Sequence, residues 1–211
     1  MILDLHSHSV ASDDGRAKVE NYCQWIQRKE LPLDGFVLTE HRQFDDANDY
    51  RALEDKFGLL ILKASEVETE YGHVLVFGVN ADLRASFDFT KIDNPLAMVL
   101  EESKRAGAVA VPCHPGRPKV GMCAHWETRG PVDGVHTIET LNGGSRGGEN
   151  EEAQAMASRY GWNSIGGSDS HIVSHIGRCA TRFDDEIRDI DELVRALQGG
   201  RFEAILPESS P

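Results

Sequence analysis

The chain has 211 residues, enough for one α/β domain with a full hydrophobic core, and no Pro/Ser-rich linker or break in composition divides it. A formal net charge of −13 disfavours broad capture of a nucleic-acid backbone, which needs clustered Lys and Arg to release counterions, so a small substrate or only the end of an oligonucleotide fits better. Cys23, Cys113, Cys123 and Cys179 form no CxxC pair, which argues against a zinc ribbon or a disulfide framework; they are read as reduced.

The opening MILDLHSHS has neither the basic and apolar regions of a signal peptide nor an apolar run of membrane-spanning length, so a cytoplasmic protein is expected. ILDL at 2–5 predicts the first strand. Val19, Tyr22, Cys23 and Ile26 then recur at i, i+3, i+4 and i+7, which predicts a helix burying one face. GFVLT at 35–39, LLILKA at 59–64 and HVLVFGV at 73–79 read as strands, and Glu66 and His73 bracket a hairpin-like turn, so the sheet is not purely parallel. AVAVP at 108–112, VHTIET at 135–140 and NSIGG at 163–167 continue the strand series, with RCATRF at 178–183 and FEAIL at 202–206 as possible additions. Ala153, Met156, Ala157 and Tyr160 repeat the helical spacing. Leu193, Val194 and Leu197 give a shorter version, which Gly199 and Gly200 stop. Apolar runs alternating with helical segments predict an α/β architecture of a single domain over 1–206, with PESSP at 207–211 as a frayed tail.

Seven chemically loaded residues fall just past the ends of predicted strands: His6, His8, His41, Glu66, His114, Asp169 and His171. A barrel or open α/β sheet gathers such positions at one rim, where loops converge, and together they make a polynuclear metal site. His6 and His8, two apart at a strand end, point to the same side and can bind one cation. Alone, HSH is as well explained by a solvated or hydrogen-bonded pair. Here TEH at 39–41, SEVE at 65–68, GH at 72–73, CHP at 113–115 and GSDSH at 167–171 each follow an apolar run. His136, in a strand pattern, reads as a structural histidine. His175 follows His171 by one helical turn, but HIVSH lacks the glutamate of HExxH, so a zincin is disfavoured.

On these motifs the chain resembles the PHP-domain proteins, the polymerase and histidinol phosphatase superfamily of metal-dependent phosphoesterases. DLHSHSVASDDG, TEHR, ASEVE, YGHVLVFG, CHPGRP, IETLNG and GSDSH stand in the family's order over nearly the whole chain. The resemblance implies a distorted seven-stranded (β/α) barrel, similar to a TIM barrel, with up to three metals. It implies a first metal on His6, His8, Glu66 and Asp169, and a second on Glu66, His73 and His114, bridged by Glu66. A third would take His41, His171 and an acidic residue of the SDDG turn, Asp14 or alternatively Asp13. Three divalent ions set against Asp14, Glu66 and Asp169 leave about three positive charges, which a phosphate dianion plus one hydroxide would neutralise. Mixed imidazole and carboxylate ligands suit two or three Zn, Mn or Fe ions better than Mg.

Around the metals, Arg42, Arg117 and Arg146 each fall where a guanidinium can reach phosphate oxygens, although surface loops carry arginines anyway. Glu139 and Asn142 resemble family positions that orient the site, with a turn role for Asn142 as the alternative. Trp126 reads either as a pocket wall or as core. The expected function is hydrolysis of a small phosphomonoester by a metal-activated hydroxide, with Glu66, Asp169 and His171 as its catalytic residues. Hydrolysis of a nucleotide or the end of a short oligonucleotide is the alternative. No membrane partner is expected. Two further classes are weaker: an amidohydrolase, for which Lys63 lacks a matching HxH partner, and a non-catalytic module, against which all nine ligand positions carry competent side chains.

Overall fold

The computed structural model describes residues 1–207. From residue 208 on, the expected tail lies outside the described residues. In chain order they form β1 (Ile2–Ser7), α1 (Val19–Arg28), β2 (Gly35–His41), α2 (Arg51–Phe57), β3 (Leu60–Thr69), β4 (Gly72–Phe77), α3 (Ala81–Ser86) and α4 (Leu96–Arg105). There follow β5 (Val109–Pro112), α5 (Met122–Arg129), β6 (Thr137–Asn142), α6 (Glu149–Tyr160), β7 (Asn163–Gly167), β8 (Ala180–Phe183), α7 (Ile190–Gly199) and β9 (Phe202–Ile205). Among the described residues no helix is long and apolar enough to cross a membrane.

Every strand expected from the sequence is present, the two at 178–183 and 202–206 included. The helices that periodicity predicts bury the expected faces: Val19, Tyr22, Cys23 and Ile26 in α1, Leu193, Val194 and Leu197 in α7. In α7, Asp189 caps the first turn by accepting from the Glu192 amide, and Gly200 ends the helix with φ +71°. Tyr160 departs from its predicted face: it is exposed, and its ring stacks on Trp162 with centroids 4.7 Å apart.

One sheet of seven strands runs in the order β5-β4-β3-β2-β1-β8-β9, and β6 pairs with β7 in a second sheet. β1, β2 and β3 are parallel, whereas β3–β4, β4–β5, β1–β8 and β8–β9 are antiparallel. This is a mixed α/β fold with a curled sheet, which departs from the expected seven-stranded (β/α) barrel in its antiparallel pairs and its second sheet. Only Glu70 and Tyr71 separate β3 from β4, a link far too short for the crossover that a parallel pair requires. The end of β7 is tied back to the end of β1, where the His8 amide donates to the Ser170 carbonyl and the Asp169 amide to the His6 carbonyl, each at 2.8 Å.

Strand phase then sorts the inner face of the curl. Alternate residues share a face, and one buried apolar cluster includes Val37, Leu62, Ala64, Leu75, Phe77, Val111 and Ile165 together with Leu193, Val194 and Leu197 of α7. Continuing the same phase, Val37 leads to His41, Leu62 and Ala64 to Glu66, Phe77 and Leu75 to His73, and Ile165 to Asp169. In β1 the register slips between Asp4 and Ser7, a bulge that shifts the phase where His6 stands. The apolar half of the curl is thus a core, and its other half is lined by ligand-type side chains.

Candidate metal centre

The predicted ligands belong to one connected cluster, but His6, His41 and Glu66 stand within strands and not beyond their ends. His41 of β2 is the register partner of Glu66 of β3, which places imidazole beside carboxylate. His114 and Asp169 follow β5 and β7 with φ of +31° and +51°, conformations that side-chain-bearing residues rarely adopt and that the surrounding structure must hold. The Asp169 amide is fixed by His6, as above, and the His114 amide donates to Glu139 Oε2 at 2.8 Å.

Glu66 is the hub. Its Oε1 lies 2.6 Å from His73 Nδ1 and 3.1 Å from His114 Nε2, while its Oε2 lies 3.1 Å from both His6 Nε2 and His8 Nε2 and 3.3 Å from His41 Nδ1. Asp169 Oδ1 stands 3.4 Å from Nε2 of His6 and of His8. The outer group consists of His41 and His171, whose Nε2 atoms are 3.4 Å apart and 3.5 and 3.2 Å from Asp14 Oδ2. Asp13 turns away to pair with Arg42 at 2.8 Å, so of the two acidic residues in the turn it is Asp14 that meets the histidines.

This donor set fits divalent ions. His6 Nδ1 donates to Glu139 at 3.0 Å, which turns the Nε2 lone pair inward, where it meets His8 Nε2 at 3.1 Å. Two imidazole nitrogens facing each other across two carboxylates are satisfied together by a shared cation. Four groups bring at least three donors within 4.8 Å of one another: His6–Glu66–Cys113–His114, His8–His41–His171, His6–His8–Asp169 and His41–Glu66–His73.

The electrostatics match. Burial opposes the charged form of Glu66, but His6, His41 and His73 hold its carboxyl well below the usual range. Burial likewise opposes the charge on Asp169, and His6, His8 and His114 overcome it. His6 is pushed down by burial yet held well above the ordinary imidazole value by Glu139, Asp169 and Glu66. His8, also buried, is raised to about 9 by Asp169 and Glu66, whereas burial lowers His41 and His114. The buried carboxylates thus favour the charged form of His6 and His8, and within the cluster His114 Nδ1 is buried with no hydrogen-bond partner.

Several orienting residues are not visible as sequence motifs. Asp4, fully buried, accepts from the amides of His6, Ser168 and Gly177, and burial raises its pKa to about 6 against these hydrogen bonds. Glu40 accepts from the Ser9 amide and the Ser12 hydroxyl, and the Tyr22 hydroxyl donates to the carbonyls of His8 and Ser170. In the sequence Asp4 stands two before His6 and Glu40 just before His41, whereas Tyr22 shows only as part of the predicted buried face of α1. Glu139 and Asn142 do orient the site, since Asn142 Nδ2 donates to Glu139 Oε2 at 2.9 Å and Asn142 Oδ1 accepts from Arg117.

Of the arginines, Arg117 lies closest to the cluster, its Nη2 donating to Asp169 Oδ2 at 2.6 Å. Arg42 is held between Asp13 and Glu68, and Arg146 is exposed with no ion pair among the described residues. Trp126 is core, packed against Tyr71, Tyr160 and Trp162. His136 is exposed just before β6, which corrects its reading as a strand histidine, and His175 sits in a 3₁₀ turn. Lys63 Nζ donates to the Asp45 and Asn48 carbonyls, engaged away from the cluster.

Residues 147–202, which supply α6, β7, Asp169 and His171, match the family model described as PHP-associated. Over this segment the chain is similar to the PHP-domain proteins. A protein of Citrobacter koseri named “Probable phosphatase” is 25% identical over 231 residues, covering 95% of this chain and 91% of the relative. PsfC from Pseudomonas syringae has a similar fold at 18% identity, with a TM-score of 0.70 over 100% of this chain and 93% of that one. The lesion-specific endonuclease PfuEndoQ of Pyrococcus furiosus matches 98% of this chain over 58% of its own length, with a TM-score of 0.68 at 14% identity.

Proposed function

We propose that this PHP domain, spanning residues 1–206, hydrolyses a small phosphomonoester at a centre of two or three divalent Zn, Mn or Fe ions. The observation that carries the reading is the convergence of nine ligand-type side chains, Glu66 and Asp169 among them, at one end of the curl. His6, His8, Glu66 and Asp169 would hold one ion, Glu66, His73 and His114 a second, and His41, His171 and Asp14 a third. When bound, the ions supply Lewis-acid charge toward phosphoryl oxygens and make water more acidic.

Glu66, Asp169 and His171 are the residues assigned to catalysis. Glu66 shares its two oxygens between separate imidazole groups, so one carboxylate fixes their spacing. Asp169 presents Oδ1 to His6 and His8 while Arg117 holds Oδ2. His171, less buried than the inner ligands, stands where the cluster meets solvent. Arg117 keeps N–H donors beyond the two spent on Asp169 and Asn142 and is the first-choice phosphate contact, Arg146 is exposed without an ion pair among the described residues, and Arg42 would have to give up Asp13 or Glu68.

The test is a hydrolysis screen with Mn²⁺ or Zn²⁺ across sugar phosphates, amino-alcohol phosphates, nucleotides and short oligonucleotides. Turnover of a phosphomonoester supports the proposal. Turnover confined to nucleotide or oligonucleotide diesters selects the alternative, and a metal-loaded chain inert toward all of them overturns both.

A further inference from the structure

Cys113 lies outside the nine-residue set, yet strand phase puts it on the same inner face. Val111 of β5 pairs with Leu75, and Leu75 with Glu66, so this row crosses the inner face of the curl. Cys113 stands two residues beyond Val111, where its amide donates to the His73 carbonyl at 3.0 Å. Its thiol is fully buried. Sγ lies 3.4 Å from Glu66 Oε1 and 3.4 Å from His114 Nε2, which are themselves 3.1 Å apart.

When no ion is bound, the thiol can donate to Glu66 and accept from His114 Nε2–H, so hydrogen bonds fill these contacts in the metal-free chain. Metal geometry accounts for the whole triangle. Zinc holds sulfur at about 2.3 Å and nitrogen or oxygen at about 2.0 Å, so two donors on one tetrahedral ion stand about 3.3–3.5 Å apart. The observed separations of 3.1 to 3.4 Å are close to that spacing before any adjustment of rotamers.

We propose that Cys113 is a further metal ligand, completing with Glu66, His73 and His114 a four-donor site that selects a zinc-type ion over manganese or magnesium. The inference rests on the metal-centre reading above and adds a soft donor to it. As the sulfur–metal bond forms, the thiol proton leaves to solvent and the sulfur binds as thiolate. A thiolate among imidazole and carboxylate raises preference for zinc or ferrous iron relative to the harder ions, which prefer oxygen.

Cobalt(II) reports such a ligand directly, because thiolate ligation adds a near-ultraviolet charge-transfer band that imidazole and carboxylate do not give. The metal-stripped full-length chain, titrated with cobalt(II), is expected to gain this band. Cys113→Ser and Cys113→Ala should lose it, and Cys123→Ser should keep it. Loss of an outer partner alone costs about 10–100-fold in metal affinity, so Cys113→Ser should weaken zinc binding by at least about tenfold. Its manganese affinity should change by less than about twofold, manganese having little preference for thiolate. Full cobalt loading of the wild-type chain without the band overturns the proposal whether or not any variant folds, as does a band that survives in Cys113→Ala. Failure of cobalt to bind at all overturns the metal centre itself, a result distinct from binding without sulfur.

Discussion

At the scale of single residues, the division of labour between the two Glu66 oxygens gives the sharpest test. Replacing Glu66 by Gln keeps the shape but removes the negative charge between His6, His8, His73 and His114. Hydrolysis should fall by at least about 10²- to 10³-fold with the circular dichroism spectrum unchanged; wild-type turnover would refute the bridging role. Arg117, proposed above as a phosphate contact, is also tied to the proposed ligand Asp169, whose Oδ2 its Nη2 holds. Arg117→Ala should therefore lower catalytic efficiency by about tenfold to a hundredfold, equivalent to roughly 1.5–3 kcal/mol for a charge-assisted contact. Metal affinity should weaken as well, and Lys should recover only part of either loss, lacking the planar fork. Steady-state kinetics with metal analysis on both variants decides it. In the metal-free chain His8 is raised from 6.5 to about 9, so its stabilising contribution is fully present below 6.5 and lost as pH rises through 9. Glu66 and Asp169 are lowered, so theirs is present above their unfolded values of 4.5 and 3.8 and lost as pH falls below them. Thermal stability in chelator should accordingly be greatest between about pH 5 and 6.5 and decline toward 9. An alkaline decline of the same size in the zinc-loaded chain would contradict this origin.

At the scale of elements, strand phase and backbone irregularity together aim the ligands. The sequence placed all nine strands because each is a short apolar run bounded by turn residues, and it placed the faces of α1, α6 and α7 by spacing, Tyr160 excepted. It did not reveal the register slip between Asp4 and Ser7 or the positive φ at His114 and Asp169, since neither leaves a compositional mark. Close approach of β7 to β1 is a further element-level constraint. A Cβ at Gly167 would lie 2.4 Å from the His6 Cβ and 2.7 Å from its amide nitrogen, nearer than atoms tolerate. Gly167→Ala should therefore push β1 from β7, costing about 1–3 kcal/mol of stability as overpacking does and reducing metal content with it. Denaturant unfolding and elemental analysis test the pair of effects. An alanine variant with full metal content would mean that the two strands can separate without moving His6.

At the scale of the whole molecule, the candidate centre is assembled from β1, β2, β3 and β4, from the residues that follow β5 and β7, and from the turn carrying Asp14, so ions bound there would cross-link segments distant in sequence. An ion that binds the folded chain and not the unfolded one stabilises it by about 2.7 kcal/mol at a hundred times its Kd. Chelation should thus lower the unfolding temperature, and restored zinc should recover it; an unfolding temperature indifferent to metal would remove the cross-linking role. The sequence by itself determined the strand series, the helix faces and the ligand types, because periodicity and side-chain chemistry are local. It also gave the link too short for a crossover between β3 and β4. Only the tertiary structure decided that the strands form a curled mixed sheet of seven with a separate pair, that Asp14 and not Asp13 meets His41 and His171, and that Asp4, Glu40 and Tyr22 brace the ligands. It likewise brought Cys113 to the cluster and tied Arg117 to Asp169. Those outcomes depend on register, backbone conformation and contacts between residues far apart in the chain, and these exist only once the chain has closed on itself.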